Sequence, residues 1–293
     1  MSRFDFSPAA LAQLAREDAQ RALTEDVGAD LLRGDLTANL IDPAKQAHAR
    51  ILARESAVIC GRPWVEAAQA LCAPHAKLTW HVSEGQMCSA DQVVLEITGP
   101  ARELLTLERT ALNFLQCLSA VATQTRVYVD AISAVQGNRA SIVDTRKTLP
   151  GLRLAQKYAV RTGGGLNHRI GLYDAILIKE NHIAAAGGVQ AVLARAAAVA
   201  PQADFVEIEV ETLTQLQDAL DAGAKMVLLD NMSFEQMRQA VAINAGRAVL
   251  EVSGGVNMNT VREIAATGVD RISIGALTKD IKAVDFSMRF ADL

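Results

Sequence analysis

The second half of the chain, from residue 141 onward, alternates short apolar runs with segments whose apolar residues recur at helical spacing. The apolar runs are strand-like and lie at 141–144, 175–179, 205–210, 226–229, 249–252 and 271–274. The last three intervals from one run to the next are 21 to 23 residues, which suits one strand and its following helix. Continuous apolar strands are typical of a parallel sheet buried on both faces. The pattern therefore predicts an α/β fold, either a barrel or a doubly wound sheet.

A polar, charged or glycine residue stands at the end of every one of these runs. The residues are Asp144-Thr145-Arg146-Lys147, Lys179-Glu180-Asn181-His182, Glu207 and Glu209, Asp230-Asn231, Ser253-Gly254-Gly255 and Gly275-Ala276. Barrels carry their chemistry at the C-terminal ends of several strands, whereas an open sheet gathers it at one switch point. One such charge is usually only a strand end that meets water, but six in register favour an incomplete TIM-like barrel with a functional rim.

The preceding part of the chain lacks this regular alternation. Strand-like stretches at 50–54, 57–60, 77–82 and 93–97 are interrupted by a helical stretch at 64–71 and by glycine and proline. A long helix is predicted over 101–132, because Leu104, Leu107 and Ala111 recur at three- and four-residue steps. We expect residues 1–118 to form an α+β domain and residues 119–279 to form the barrel, with the long helix as connector.

The distribution of charge points to a small anionic ligand. The net charge of -4 argues against a nucleic-acid partner, yet the window from Arg139 to Lys179 holds eight basic and two acidic residues, a local charge of +6. A solvated basic helix face is the ordinary alternative, and it would suit Arg153, Lys157 and Arg161. Cations that share one pocket repel one another unless the ligand carries two or more negative charges. The four candidates for such a pocket are Arg146, Lys147, Arg169 and Lys179.

Other site candidates have plain structural alternatives. Glu209 and Asp230 could hold sugar hydroxyls or Mg²⁺, or they could only form ion pairs with the basic residues. Small residues at 254–255 and 275–276, each before a helix, would let backbone N–H groups approach a phosphate, although Ser-Gly-Gly alone is more often a plain loop. His168 is as well suited to donating a hydrogen bond to a carboxylate as to being a loop histidine satisfied locally.

Several classes of protein are disfavoured. The cysteines, Cys60, Cys72, Cys88 and Cys117, lack the spacing of a zinc or redox motif and are expected to be reduced thiols. The segment around Asp5 has no apolar core of a signal peptide, and no uncharged apolar run reaches about 18 residues. We therefore expect a cytoplasmic protein without a membrane partner.

Taken together in their order, the motifs resemble the quinolinate phosphoribosyltransferase family, also called nicotinate-nucleotide pyrophosphorylase (carboxylating). The motifs are ERTALN at 108–113, DTRKT at 144–148, NHR at 167–169, IKENH at 178–182, EIEV at 207–210, LDN at 229–231, SGG at 253–255 and IGALT at 274–278, with ED at 25–26 and GDLT at 34–37 upstream. The resemblance covers nearly the whole chain, and as a set these motifs are specific.

The resemblance implies a reaction and an assembly. Quinolinate attacks C1 of phosphoribosyl pyrophosphate, pyrophosphate leaves with the help of Mg²⁺, and decarboxylation yields nicotinate mononucleotide for NAD biosynthesis. It also implies a homodimer whose N-terminal open-faced sandwich, joined by the C-terminal tail at about 280–293, caps the partner's barrel. Arg109 on the connecting helix would then reach the partner's site.

The resemblance also implies residue roles. Quinolinate would be held by Arg109, Thr145, Arg146, His168, Arg169 and Lys179. Phosphoribosyl pyrophosphate would be held by Lys147, Glu209, Asp230, Ser253, Gly254, Gly255, Ser273, Ile274, Gly275 and Ala276. Lys147, Glu209 and Asp230 would be the catalytic residues, with Glu209 and Asp230 binding Mg²⁺ directly or through water.

Three other functions fit parts of the sequence. A related phosphoribosyltransferase could use nicotinate or another base, although a monocarboxylate needs fewer cations. A lyase could form a Schiff base at Lys179 and would not depend on Mg²⁺. A barrel protein that regulates nucleotide metabolism without catalysis would have no turnover to lose on substitution of Arg146.

Overall fold

Helices and strands alternate along the computed structural model, which describes residues 4–291. The helices, numbered α1 to α10, are Pro8–Val27, Arg62–Cys72, Ala101–Ser133, Arg153–Thr162, Glu180–Ala186, Val189–Val199, Leu213–Asp221, Phe234–Asn244, Val261–Ala266 and Ala276–Lys279. The strands, numbered β1 to β12, are Gln46–Ala53, Ala57–Val58, Lys77–Trp80, Met87–Cys88, Val93–Pro100, Ser141–Val143, Ile176–Ile178, Val206–Val210, Met226–Asp230, Val249–Ser253, Arg271–Ser273 and Phe286–Ala291. The ends of the chain, 1–3 and 292–293, belong to the predicted N-terminal domain and tail and lie outside the described residues.

The barrel unit, residues 125–149 and 164–279, contains a six-stranded parallel sheet. Its strand order is β6-β11-β10-β9-β8-β7, so β6 and β7 form the two edges. Pairing is in register at the C-terminal ends, where Ser253 lies opposite Asp230 and Ser273 opposite Val143. The predicted α/β fold with a parallel sheet and a separate N-terminal domain is confirmed.

Local sequence explains where the elements of this unit begin. Strand β9 is buried at four consecutive positions, as expected for a strand covered on both faces. Helices α7 and α8 start at capping boxes, in which Thr212 pairs with Gln215 and Ser233 with Gln236. These caps end the loops after β8 and β9 and so limit how far the rim residues of those loops can move.

The N-terminal unit, residues 5–124, 150–163 and 280–291, contains an antiparallel sheet of order β12-β1-β5-β3. Strand β1 alternates buried and more exposed positions, the mark of a sheet with one covered face. Helices α1 and α2 pack against each other, and buried Trp64 of α2 donates its indole N–H to Asp18 of α1 at 2.9 Å. The C-terminal strand β12 pairs with β1 along its length.

Helix α4 belongs to the N-terminal unit, although its sequence lies inside the range predicted for the barrel. The reason is aromatic packing, since the Tyr158 ring lies 5.4 Å from that of Trp64 and 6.4 Å from that of Phe6. Lys157 on the same helix is fully buried. The alternative of a solvated basic face over this helix is therefore wrong for Lys157.

Between residues 4 and 291, no single helix combines the length and hydropathy needed to cross a membrane. One sharply bent pair, Glu180–Ala186 with Val189–Gln202, passes that test by length and composition alone.

Candidate active site

A cavity of about 340 Å³ opens at the C-terminal ends of the barrel strands. Residues predicted from the sequence that line it are Thr145, Arg146, Lys147, His168, Arg169, Lys179, Glu209, Ser253 and Ser273. The remaining lining residues, which the sequence did not single out, are Leu177, Leu228 and Glu251. The structure thus collects the basic residues and one of the two predicted carboxylates around a single space.

The loop after β6 brings Arg146 and Lys147 to this cavity. The Thr145 hydroxyl oxygen accepts a hydrogen bond from the Lys147 backbone N–H at 3.0 Å, which fixes the turn. Arg146 is half-buried, and its Nε is buried without a hydrogen-bond partner among the described residues. A buried guanidinium donor left unsatisfied beside a cavity suits an anionic ligand.

Two buried carboxylates hold the backbone on either side of Arg169. Asp144 accepts from the His168 backbone N–H at 2.9 Å, and Asp174 accepts from the Ile170 and Gly171 N–H groups at 2.7 and 2.8 Å. Arg169 itself is only 8% exposed. Burial, followed by the nearby charge of Arg146, lowers its pKa. The two guanidinium groups therefore repel each other, as expected of a site that takes an anion with more than one charge.

His168 lines the cavity, but both of its ring nitrogens have protein partners. Nε2 lies 2.7 Å from Glu207 Oε2, and Nδ1 accepts from the Arg169 backbone N–H at 2.7 Å. This pairing requires the Nε2–H tautomer when the ring is neutral. In this arrangement His168 is satisfied by the protein, the simpler of the two sequence-based alternatives.

Beneath His168 lie two buried carboxylates, with a half-buried arginine beside them. Glu251 Oε1 lies 3.5 Å from His168 Nε2, and Glu251 Oε2 lies 2.8 Å from Arg271 Nε. Glu207 and Glu251 are both fully buried. Burial raises the pKa of each to about 7, although Arg271 opposes the shift in both. Near neutral pH this group therefore holds fewer negative charges than its composition suggests.

We expect Glu251→Gln to flatten the pH dependence of thermal stability. In the unfolded chain the carboxyl titrates near its ordinary pKa of 4.5, and in the folded protein near 7. Between these values the folded state keeps a proton that the unfolded state has lost, so the free energy of unfolding falls as pH rises. Glutamine cannot ionise, so the melting temperature relative to wild type should rise by roughly 5 °C or more from pH 5 to pH 8.

Differential scanning fluorimetry at both pH values measures this difference. The matched control is Glu263→Gln, which removes an exposed carboxylate on α9. Parallel pH profiles for wild type and Glu251→Gln would contradict the expectation.

The two rim carboxylates are held by neighbouring side chains. Glu209 Oε2 accepts from Lys179 Nζ at 2.9 Å, the ion pair that was one alternative for this residue. Lys179 is in turn fixed at its backbone N–H, which donates to His182 Nδ1 at 2.9 Å. Asp230 accepts from the side-chain amide of Asn231 at 2.8 Å, and burial raises its pKa while Lys179 lowers it. Asp230 borders the site without lining the 340 Å³ cavity.

The rim glycines differ in what surrounds them. A Cβ on Gly254 would overlap the Asn231 side-chain oxygen, and one on Gly275 would lie 2.8 Å from Lys147 Cδ. A Cβ on Gly255 would meet nothing within 4 Å, and this residue, at φ +61°, borders a second cavity of about 300 Å³. Gly254 and Gly275 thus make room for neighbouring side chains, whereas Gly255 leaves open space beside the rim.

Arg109 lies in the N-terminal unit, not in the wall of the barrel cavity. It is exposed on α3 and lines a separate cavity of about 500 Å³ together with Arg21, Glu25 and Asn113. Within one chain, the structure does not bring Arg109 into the lining of the barrel cavity.

Sequence reasoning did not assign roles to Asp144, Asn231 or Glu251. Asp144 and Asn231 stood inside recognised motifs, so their position was visible but their hydrogen bonds were not. Asn231 has one further signal, a left-handed backbone at φ +52°, which side-chain-bearing residues rarely adopt. Glu251 sits within an apolar run, and a charge in a fully buried strand was the sign that could have identified it.

Comparison with known proteins covers both units. A family described as "Quinolinate phosphoribosyl transferase, C-terminal domain" matches residues 121–289, and its N-terminal domain counterpart matches residues 35–119. The chain is 40% identical to the nicotinate-nucleotide pyrophosphorylase [carboxylating] of Mycobacterium leprae, over 94% of this chain and 96% of that protein. It is 38% identical to a probable enzyme of that name from Bacillus subtilis, over 90% and 89%. The solved nicotinate-nucleotide pyrophosphorylase of Francisella tularensis superposes with a TM-score of 0.91 at 41% identity, covering 99% of this chain and 100% of that one.

Proposed function

The chain belongs to the quinolinate phosphoribosyltransferase family and is a decarboxylating phosphoribosyltransferase of NAD biosynthesis, and from this premise we propose how its residues carry out the reaction. The substrates are quinolinate and phosphoribosyl pyrophosphate, and the products are nicotinate mononucleotide, pyrophosphate and CO₂. The observation that supports this most directly is the cavity in which Arg146, Arg169 and Lys179 share one space with Glu209.

Quinolinate occupies the basic half of the cavity in this proposal. Its two carboxylates take up the guanidinium donors of Arg146 and Arg169 and the ammonium of Lys179. This offsets the burial and the repulsion from Arg146 that lower the pKa of Arg169. Thr145 contributes its side chain to the same wall. His168 supports this half, because it ties the Arg169 backbone to the buried carboxylate of Glu207.

The sugar and its phosphates occupy the other half. Glu209 and Asp230 face the ribose, and Lys147 faces the pyrophosphate that leaves. Ser253 and Ser273 line the cavity, and the backbone at Gly254, Gly255, Ile274, Gly275 and Ala276 receives the 5′-phosphate. Glu209 and Asp230 offer the hard carboxylate oxygens that Mg²⁺ prefers, so we propose that they hold Mg²⁺ directly or through water. When bound there, the ion would supply charge neutralisation for the pyrophosphate.

The residues then act on charge as it develops. The ring nitrogen of quinolinate forms a bond to C1 of the ribose while the bond from C1 to the pyrophosphate oxygen breaks. Carboxylates at Glu209 and Asp230 stabilise the positive character of the ribose, and Lys147 stabilises the departing pyrophosphate. The bond from C2 of the ring to its carboxylate then breaks, CO₂ leaves, and the electron pair stays on C2 beside the cationic nitrogen until C2 takes up a proton.

We further propose that the enzyme works as a cytoplasmic homodimer. Arg109 is exposed and belongs to one of the family motifs, yet the barrel cavity of its own chain does not include it. A second chain that presents Arg109 to this cavity would add a cation to the quinolinate half. No nucleic acid or membrane takes part.

The experiment that tests the function is a coupled assay for pyrophosphate and CO₂ release. Release of both in equal amounts is expected with quinolinate, phosphoribosyl pyrophosphate and Mg²⁺. Nicotinate should be used far more slowly, because it offers one carboxylate to a site with several cations. Equal rates with nicotinate would contradict the dianion argument, and trapping of a carbonyl substrate on Lys179 by borohydride without Mg²⁺ would favour the lyase alternative.

A further inference from the structure

Lys147 contacts residues that follow the neighbouring strand β11, at Gly275 and in helix α10. We propose that Gly275 and Thr278 are positioning residues that hold the Lys147 side chain in place for the pyrophosphate. The inference rests on the proposed role of Lys147 and assigns to Gly275 a task that is separate from phosphate binding by its backbone.

Three contacts define this seat. The Thr278 hydroxyl donates to the Lys147 backbone carbonyl at 2.7 Å, and the Thr145 hydroxyl oxygen accepts from the Lys147 N–H at 3.0 Å. The Lys147 stem passes over Gly275 so closely that a Cβ there would lie 2.8 Å from Cδ and 3.7 Å from Nζ. The backbone of Lys147 is therefore fixed from two sides, and its side chain lies across a position that has none.

The need for glycine at 275 comes from space and not from backbone conformation. Gly254 and Gly255 both have positive φ, which favours glycine by itself, but Gly275 does not. Alanine at 275 would leave the backbone unstrained and would press only on the flexible stem of Lys147. A substitution at Gly275 therefore tests the effect of crowding the Lys147 side chain without adding backbone strain.

The seat has a functional meaning because lysine is otherwise mobile. Lys147 is exposed and has a long side chain with much rotamer freedom. A group that must meet a leaving pyrophosphate is more effective when its position is set before the substrate binds. Because Gly275 has no side chain, the Lys147 side chain can lie across it. The hydrogen bond from Thr278 fixes the backbone of Lys147 to helix α10.

A double-mutant cycle in phosphoribosyl pyrophosphate binding tests the inference, with isothermal titration calorimetry on the full-length protein. We expect Lys147→Ala to weaken binding by about 30-fold and Gly275→Ala by about 5- to 10-fold. In the Lys147→Ala background, Gly275→Ala should change affinity by less than about twofold, because the crowded side chain is gone. Melting temperatures identify any variant that fails to fold, and a crystal structure of Gly275→Ala should show Lys147 displaced.

Thr278 provides a matched pair of variants. Thr278→Ser keeps the hydroxyl that donates to Lys147 and should bind phosphoribosyl pyrophosphate nearly as wild type does. Thr278→Val keeps the shape and loses the donor, and it should weaken binding several-fold.

The outcomes separate the inference from the proposed function. If Lys147→Ala weakens binding and Gly275→Ala lowers the affinity by the same factor in both backgrounds, Gly275 acts through its own backbone. The positioning of Lys147 by Gly275 is then overturned, while the proposed function stands. If Lys147→Ala leaves affinity unchanged, both the role of Lys147 and its seat are overturned. If Thr278→Ser and Thr278→Val bind phosphoribosyl pyrophosphate equally well, Thr278 does not position Lys147.

Discussion

Replacing Arg169 with alanine is expected to raise the KM for quinolinate by about 100-fold while changing the KM for phosphoribosyl pyrophosphate by less than about threefold. Arg169 is 8% exposed and lines the cavity with Arg146. The peptide N–H groups of His168 and Ile170, on either side of it, donate to buried carboxylates. A charge-assisted hydrogen bond in such a site contributes roughly 1.5–3 kcal/mol, which corresponds to about 10- to 150-fold in binding. Steady-state kinetics with each substrate varied in turn measures the two KM values.

The companion variant is Arg169→Lys. It keeps the positive charge but loses the planar fork that binds a carboxylate through two N–H groups, so we expect it to recover only part of the loss. Circular dichroism and a melting curve check that the loop of His168 and Arg169 has folded. Equal increases in KM for the two substrates would contradict the assignment of Arg169 to quinolinate.

Mixing two separately impaired variants, Arg109→Ala and Lys147→Ala, is expected to restore activity. If Arg109 serves the site of a second chain, Arg109→Ala and Lys147→Ala damage the same site from different chains. A mixed dimer then has one site with both residues intact and one with both missing. Random reassortment of equal amounts makes half of the dimers mixed, so about a quarter of the wild-type activity should return.

The control reverses the arrangement. Mixing wild-type chains with the double variant Arg109→Ala/Lys147→Ala leaves every mixed dimer without an intact site, so activity should fall below that of the wild-type chains alone. Differently tagged chains and a pull-down establish that mixed dimers have formed. Mixed dimers of the two single variants with no activity above the unmixed proteins would contradict the crossing of Arg109.

The periodic part of the sequence predicted the barrel unit well because strand burial and strand spacing are local properties. Met226 to Leu229 is an unbroken apolar run, and a run of that kind is buried on both faces wherever it folds. Once the strands are parallel, their C-terminal ends share one edge. The meeting of Arg146, Lys179 and Glu209 around one cavity therefore follows from the pattern.

What the sequence could not predict depends on packing between distant segments. Tyr158 of helix α4 packs against Trp64, which is far away in the chain. This packing places Lys157, the preceding residue, in the interior. The partner of His168 Nε2 is Glu207, which no short motif links to it. Gly254 and Gly275 looked alike in sequence, yet one makes room for Asn231 and the other for Lys147.

Strands β6 and β7 stand at opposite edges of the barrel sheet and are not paired with each other in the described part of the chain. Arg146 follows one edge and Lys179 follows the other, and both line the same cavity. Leu166, from the segment between these two strands, forms a parallel bridge with Val143 of β6, so the backbone closes part of this interval. A dicarboxylate bound between Arg146 and Lys179 would add ion pairs across the rest. In the proposed complex quinolinate is therefore a reversible link between the two edges of the sheet as well as a reactant. Each turnover would form and break that link.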